Sequence, residues 1–142
     1  MPNPTLNKLV TGLFVVGFVT LGQAQEVDSR WLLQVHDLKH KTKVEAMIRF
    51  TSEPATESCM VGEWRRIIIE EKMVQDEKFF PLLGPLAYIF KGDSLTLGRT
   101  NVCDAYLFLS GKPDSSRIQG QFNFGGIMGG QKLGHFSLTR AR

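Results

Sequence analysis

The sequence predicts an all-β domain, an eight-stranded antiparallel up-and-down barrel that carries one disulfide. Three observations lead to this prediction. Apolar and polar residues alternate with a period of two along much of the chain, as in strands that are buried on one face. Short turn signals separate the alternating runs. The two cysteines of the 142 residues, Cys59 and Cys103, form an even pair. A two-sheet sandwich is the alternative architecture.

Eight segments qualify as strands by their alternation or by the turn signals that bound them. The predicted strands are residues 30–38, 43–51, 63–71, 86–91, 94–99, 104–110, 117–124 and 133–140. Sequential strands with short connections favour a barrel, because closure leaves no exposed sheet edge.

The segments between the predicted strands differ in how clearly they can be interpreted. Gly92-Asp93 matches a two-residue hairpin turn. Residues 111–116 (GKPDSS) and 125–130 (GGIMGG) are predicted as longer turns. Residues 79–85 hold two prolines and one glycine, which predicts a buried loop rather than a regular element. Residues 70–78 are compatible with either a short surface helix or a strand end followed by a loop.

The N-terminal segment has the three-part layout of a secretory signal peptide. A short polar region with the single charge of Lys8 precedes the uncharged run Leu9–Leu21, and Gly22-Gln23-Ala24 supplies small residues for cleavage. The run is shorter than the roughly 20 residues that a membrane span needs. We therefore expect a signal peptide at residues 1–24, one mature domain at residues 25–142 without a membrane span, and a periplasmic or secreted protein.

The charge balance of the chain does not indicate a nucleic acid as a partner. The sequence has 17 Lys and Arg against 14 Asp and Glu, a net charge of +3. Cleavage after residue 24 removes Lys8, so the mature domain has 17 − 1 = 16 basic residues and a net charge of 16 − 14 = +2. The sequence has no long run of Lys or Arg. We therefore expect no nucleic-acid partner.

The two cysteines are expected to bond to each other in an oxidising compartment. The bond between Cys59 and Cys103 would close a loop of about 45 residues, which the chain-entropy relation values at about 4 kcal/mol. Neither cysteine is part of a CxxC pair, so a redox or nucleophilic role is not predicted.

The candidate catalytic patterns do not assemble into a site, and we expect no enzyme, no metal and no cofactor. His36 and His40 have the HxxxH spacing of zinc enzymes, but that motif requires a helix. In a strand, residues four apart are separated by about 13 Å, so both histidines are interpreted as solvent-facing residues at a hairpin rim. The carboxylate pairs Glu70/Glu71 and Asp76/Glu77 lie in charged segments, where solvation keeps their acidity ordinary.

A resemblance to a known group of folds rests on three features. These are Trp31 at the beginning of the first strand, the sequential hairpins and the closing strand of residues 134–140. At the level of the fold, the chain resembles the calycin-like barrels. These include lipocalins, avidins and the small periplasmic protease inhibitors of Gram-negative bacteria. The resemblance implies an exported barrel whose function is binding.

Two binding functions remain open. The first is a non-catalytic protein that acts by protein–protein contact, such as an enzyme inhibitor or a toxin-immunity protein. Its candidate contact residues are Ile127 and Met128, between two glycine pairs, and Lys39 and Lys41 in a basic turn. The alternative is a lipocalin-like carrier of a small hydrophobic ligand. For that function, the candidate lining residues are the strand aromatics Trp31, Phe122 and Phe136.

Overall fold

The computed structural model describes residues 27–101, 103, 105–127 and 129–142, and these residues form one closed barrel of eight antiparallel strands. The strand bounds are β1 Arg30–Asp37, β2 Thr42–Pro54, β3 Arg65–Val74, β4 Leu86–Lys91, β5 Ser94–Gly98, β6 Ala105–Asp114, β7 Arg117–Gly126 and β8 Gly129–Arg140. Each strand pairs with the next one, and β8 pairs with β1. The predicted all-β barrel is therefore confirmed, and at a coarse level it fits a calycin-like fold. The predicted signal peptide lies outside the described residues.

All eight predicted strands are present, but several end at other residues than predicted. The predicted turns at 111–116 and 125–130 are too long, because β6 continues to Asp114 and β8 already begins at Gly129. Backbone pairing overrides the turn signals there, since the glycines adopt extended backbone as readily as turns. Residues 70–78 do not form a helix: β3 continues to Val74, and a loop follows.

The apolar residues of the alternating strands face inward and form the core of the barrel. Phe50, on β2, and Ile67, on β3, are paired across the sheet, and both side chains are buried. The middle of the barrel is filled by aliphatic side chains that are fully excluded from solvent. These are Leu33, Val35, Val44, Ala46, Ile48, Leu95, Leu97, Leu109, Ile118 and Leu138. Burying one such leucine, isoleucine or valine contributes about 1.5–3 kcal/mol, so this belt is a main source of stability.

An aromatic cluster fills the end of the barrel where β1 begins. The ring of Phe50 lies 4.6 Å from that of Tyr88 and 6.1 Å from that of Trp31, measured between centroids. The hydroxyl of Tyr88 donates a hydrogen bond of 2.7 Å to the carbonyl oxygen of Thr51. The buried phenol is therefore satisfied, and its bond ties β4 to β2.

The connection between β3 and β4, residues 75–85, folds over the opposite end of the barrel, and we call it the plug. Phe80 of the plug is completely buried, and its ring packs edge-on against Phe122 of β7 at a centroid distance of 5.5 Å. The carboxylate of Glu77 accepts hydrogen bonds from the backbone N–H groups of Leu82 and Leu83. The prediction of a buried loop at 79–85 is right for Phe80 and Leu82, whereas Leu83 is exposed.

The register between β3 and β4 explains where the disulfide lies. These strands pair only over Arg65–Ile67 and Leu86–Tyr88, so the β4–β5 hairpin is displaced toward the beginning of β3. This displacement brings the connection after β5 level with the β2–β3 connection. Cys59 and Cys103 are bonded there, and the N–H of Cys59 donates a hydrogen bond of 2.7 Å to the carbonyl of Thr100.

Replacing the buried ring of the plug tests its contribution to stability. Phe80→Ala should lower the free energy of unfolding by about 3 kcal/mol or more, because it removes a fully buried ring and leaves a cavity against Phe122. Leu83→Ala, an exposed position in the same loop, should change it by less than about 0.5 kcal/mol. Urea unfolding of both variants measures the difference. Equal stability of the two variants would show that the plug does not seal the core.

Removing the disulfide should destabilise the barrel without changing its secondary structure. The double variant Cys59→Ala/Cys103→Ala should unfold about 4 kcal/mol more easily, because the unfolded chain recovers the entropy of a loop of 44 residues' separation. Reducing the wild-type protein should lower its stability to the same level, as followed by circular dichroism in urea. Two titratable thiols in the unfolded, unreduced protein would contradict the bond.

Candidate functional site

The connections of the barrel form two ends with different properties. The hairpin end has the β1–β2 turn, residues 38–41, the plug and the β7–β8 turn after Gly126. The disulfide end has the β2–β3 connection, residues 55–64, together with the disulfide. Candidate contact residues from the sequence lie at the hairpin end.

Three of the four predicted contact residues, Ile127, Lys39 and Lys41, are exposed, and they belong to two separate features. Ile127 is 89 % exposed at the β7–β8 turn, and Met128 lies outside the described residues. Lys39 and Lys41 lie in the β1–β2 turn. Asp37, the last residue of β1, pairs with Gly134, so β8 extends five residues beyond β1 toward its own turn. At 3.3 Å per residue this extension is about 17 Å along the strand, which separates Ile127 from the basic turn.

The basic turn is held in one conformation by a carboxylate. Asp37 Oδ1 accepts hydrogen bonds from the backbone N–H groups of Lys39 and Lys41, at 2.9 and 3.0 Å. The bond from the N–H of Lys41 is the main reason why the pKa of Asp37 lies below its usual value. The turn therefore presents its two lysine side chains from an ordered backbone.

The three aromatic residues predicted as ligand-lining are part of the packed core. Trp31, Phe122 and Phe136 are 1 %, 0 % and 2 % exposed. Phe122 packs beneath the plug, and the guanidinium of Arg140 lies 5.0 Å from the ring of Trp31. Protein side chains thus surround each of these rings.

A histidine cluster lies on the outer surface near the hairpin end. His36 of β1 pairs with His135 of β8, and the ring of His40 stacks on that of His135 at 5.1 Å and an interplanar angle of 9°. The Nδ1 atom of His36 lies 3.1 Å from the hydroxyl of Thr42. The position of His36 and His40 at a hairpin rim agrees with the sequence interpretation, which did not foresee that His135 joins them. Among the described residues, no group of three or more His, Cys, Asp or Glu side chains is arranged to hold a metal ion.

The electrostatic environment of His135 disfavours its protonated form. Its pKa lies below the ordinary value of 6.5, first because neighbouring groups exclude water and then because Lys132, His40 and His36 are nearby. Each of these neighbours repels a second positive charge. The neutral imidazole of His135 is therefore favoured in this cluster.

The most exposed large apolar side chain among the described residues lies at the disulfide end, and sequence reasoning missed it. Val61 of the β2–β3 connection is 93 % exposed. Two surface clefts of about 320 and 390 Å³ flank this connection and share Glu63 and Arg65 in their walls. Cys59, two residues before Val61, is the sequence signal that could have indicated this position, because a disulfide fixes the loop around it.

Comparisons with known proteins add no relative to this description. The chain matches no protein-family model, no curated protein and no solved structure. In the described part of the chain, there is no apolar helix of membrane-spanning length.

The depressed pKa of His135 predicts a pH-dependent stability. Unfolding returns this side chain to its ordinary pKa, so the unfolded chain takes up the proton first as the pH falls. The free energy of unfolding should therefore be highest above pH 6.5 and should decrease below it. His135→Gln should make this decrease shallower between about pH 7.5 and about pH 5.5, where carboxylates stay ionised. Urea midpoints across this range measure both slopes, and identical slopes would contradict the assignment.

Proposed function

We propose that this protein is an exported, non-catalytic binding protein that acts by protein–protein contact, as enzyme inhibitors and toxin-immunity proteins do. One observation carries the proposal. The two most exposed large apolar side chains among the described residues, Val61 and Ile127, project from connections at opposite ends of the barrel. Exposed apolar groups on loops of a rigid scaffold are typical of surfaces that bind other proteins.

The packing of the interior favours this function over transport of a small apolar ligand. An eight-stranded barrel is just wide enough for side chains to fill it. Here the aromatic cluster around Phe50 occupies one end and the plug with Phe80 occupies the other, with the aliphatic belt between them. A ligand inside the barrel would have to displace buried side chains, which disfavours the carrier function. The experiment below would detect such a ligand if it were bound.

The acidic side chains support a function without catalysis. The carboxylate of Glu70 pairs with Arg30 at 2.6 Å and with Arg49 at 3.1 Å, and that of Asp76 pairs with Lys43 at 2.9 Å. The pKa of Glu70 is lowered chiefly by its bond to Arg30, and that of Asp76 chiefly by its bond to Lys43. A general acid needs a raised pKa, so these pairs act as surface ion pairs.

The N-terminal segment and the architecture support export and a binding role. The tripartite leader of residues 1–24 favours the periplasm or secretion, where the bond between Cys59 and Cys103 persists. Among the calycin-like barrels, the small periplasmic protease inhibitors combine export with binding through loops. The finer resemblance to that group is part of the proposal.

Capture by the mature protein tests the proposed function. Residues 25–142, produced with the disulfide, are immobilised and exposed to soluble envelope and secreted proteins, and bound material is analysed by native mass spectrometry. A protein bound at one copy per barrel is the expected result. Serine variants at the two exposed apolar tips, Ile127→Ser/Met128→Ser and Val61→Ser, are compared, and one of them should weaken binding at least about tenfold while the melting temperature stays unchanged.

Leu38→Ser provides the matched control, because Leu38 is 57 % exposed in the other turn of the same barrel end. Its binding should match that of the wild type. A stoichiometric lipid or other small molecule, with no protein bound and with the double variant unaffected, would overturn the proposal. That result would establish the carrier function instead.

A further inference from the structure

The surface around Val61 continues into other apolar groups at the disulfide end. A Cβ atom at Gly62 would lie 2.8 Å from the Cδ1 atom of Ile89, so the loop backbone is seated on that side chain. Ile89 and the partly buried Phe90 line the cleft of about 320 Å³ beside the loop. The loop that carries Val61 thus borders a cleft that Ile89 and Phe90 line together with Glu63 and Arg65.

The loop that presents Val61 is braced on both sides. The disulfide from Cys59 anchors it to the connection after β5, and the N–H of Ala55 donates a hydrogen bond of 2.8 Å to the carbonyl of Trp64. Trp64 is 5 % exposed, and its indole N–H donates a bond of 3.2 Å to the carbonyl of Val61 itself. The backbone of Val61 is therefore ordered before any partner arrives, which reduces the entropy cost of binding.

The charge of this loop is opposite to that of the chain. Residues 52–64 contain Glu53, Glu57 and Glu63 but no Lys or Arg, in a protein whose net charge is +3, and the exposed Arg65 and Arg66 follow directly. Glu53 pairs with Arg66 at 3.2 Å. Glu57 and Glu63 are both exposed and flank Val61 in the sequence. Because Glu53 and Arg66 are paired, Glu57 and Glu63 outnumber Arg65 near Val61. A surface with this negative balance around an apolar point is complementary to a positively charged surface around an apolar pocket.

We propose that the disulfide end binds a positively charged folded protein, with Val61 entering an apolar pocket of that partner. Glu57 and Glu63 steer the partner by charge, and the braced loop supplies the rigid anchor. This inference rests on the proposed function and assigns it to one end of the barrel. The hairpin end with Ile127 is then outside the interface.

Separated protein pools and matched variants test the assignment. Envelope and secreted proteins are divided by ion exchange into a cationic and an anionic pool, and each pool is presented to the immobilised residues 25–142. We expect a protein from the cationic pool to bind, and its dissociation constant to rise at least about tenfold in Val61→Ser. Val74→Ser, at an exposed valine of β3, should bind as the wild type does. Val61→Ile should retain binding within about threefold, since it preserves the apolar anchor.

A charge variant separates steering from anchoring. Glu57→Gln/Glu63→Gln should slow association and reduce its dependence on salt, with a smaller effect on dissociation. A partner from the anionic pool, or one whose binding is unchanged in Val61→Ser, would overturn this inference and leave the proposed function standing. Capture of no protein from either pool would refute both. Because Val61 is 93 % exposed, its variants should keep the wild-type melting temperature.

Discussion

The pairing of the first strand with the last one is the constraint on which the barrel depends. Trp31–Asp37 of β1 is joined to Gly134–Arg140 of β8, and this pairing turns an eight-stranded sheet into a closed wall without edges. Gly134 is required for it, because a Cβ atom there would overlap the carbonyl oxygen of His36. At the other end of the pairing, Arg140 lies over the ring of Trp31. The core is enclosed, and the barrel has two distinct ends, only because the first and last strands are paired.

Closure around a filled interior directs the proposed binding to the connections at the two ends of the barrel. The hairpin end is dominated by positive and titratable groups, among them the basic turn held by Asp37 and the stacked rings of His40 and His135. The disulfide end combines an acidic loop with an apolar point at Val61. The basic turn and the acidic loop differ in charge and therefore suit partners of different charge, so an experiment can decide between them.

The strands could be predicted from the sequence because alternation is local, whereas the features that distinguish the two ends depend on distant contacts. The disulfide followed from the presence of two cysteines alone. The contact between His135 and His40 depends on the register of β1 against β8. These two residues are separated in the sequence by nearly the whole domain, so no local pattern reveals the contact. The exposure of Val61 depends on how Trp64 and Cys59 hold its loop. The beginning of β8 at Gly129 could not be predicted, because glycine adopts both turn and extended conformations readily.

The short pairing between β3 and β4 makes the wall of the barrel mechanically uneven. β6 and β7 are joined along Ala105–Asp114, whereas β3 and β4 meet only over Arg65–Ile67. The backbone pairing of the wall is therefore shortest along the line between β3 and β4, and the wall is not a uniform cylinder. Small changes in the circumference can be absorbed at this line while the other strand pairs keep their register. Strain applied to one end of the barrel would thus be relieved beside the plug, at some distance from the closing pair of strands.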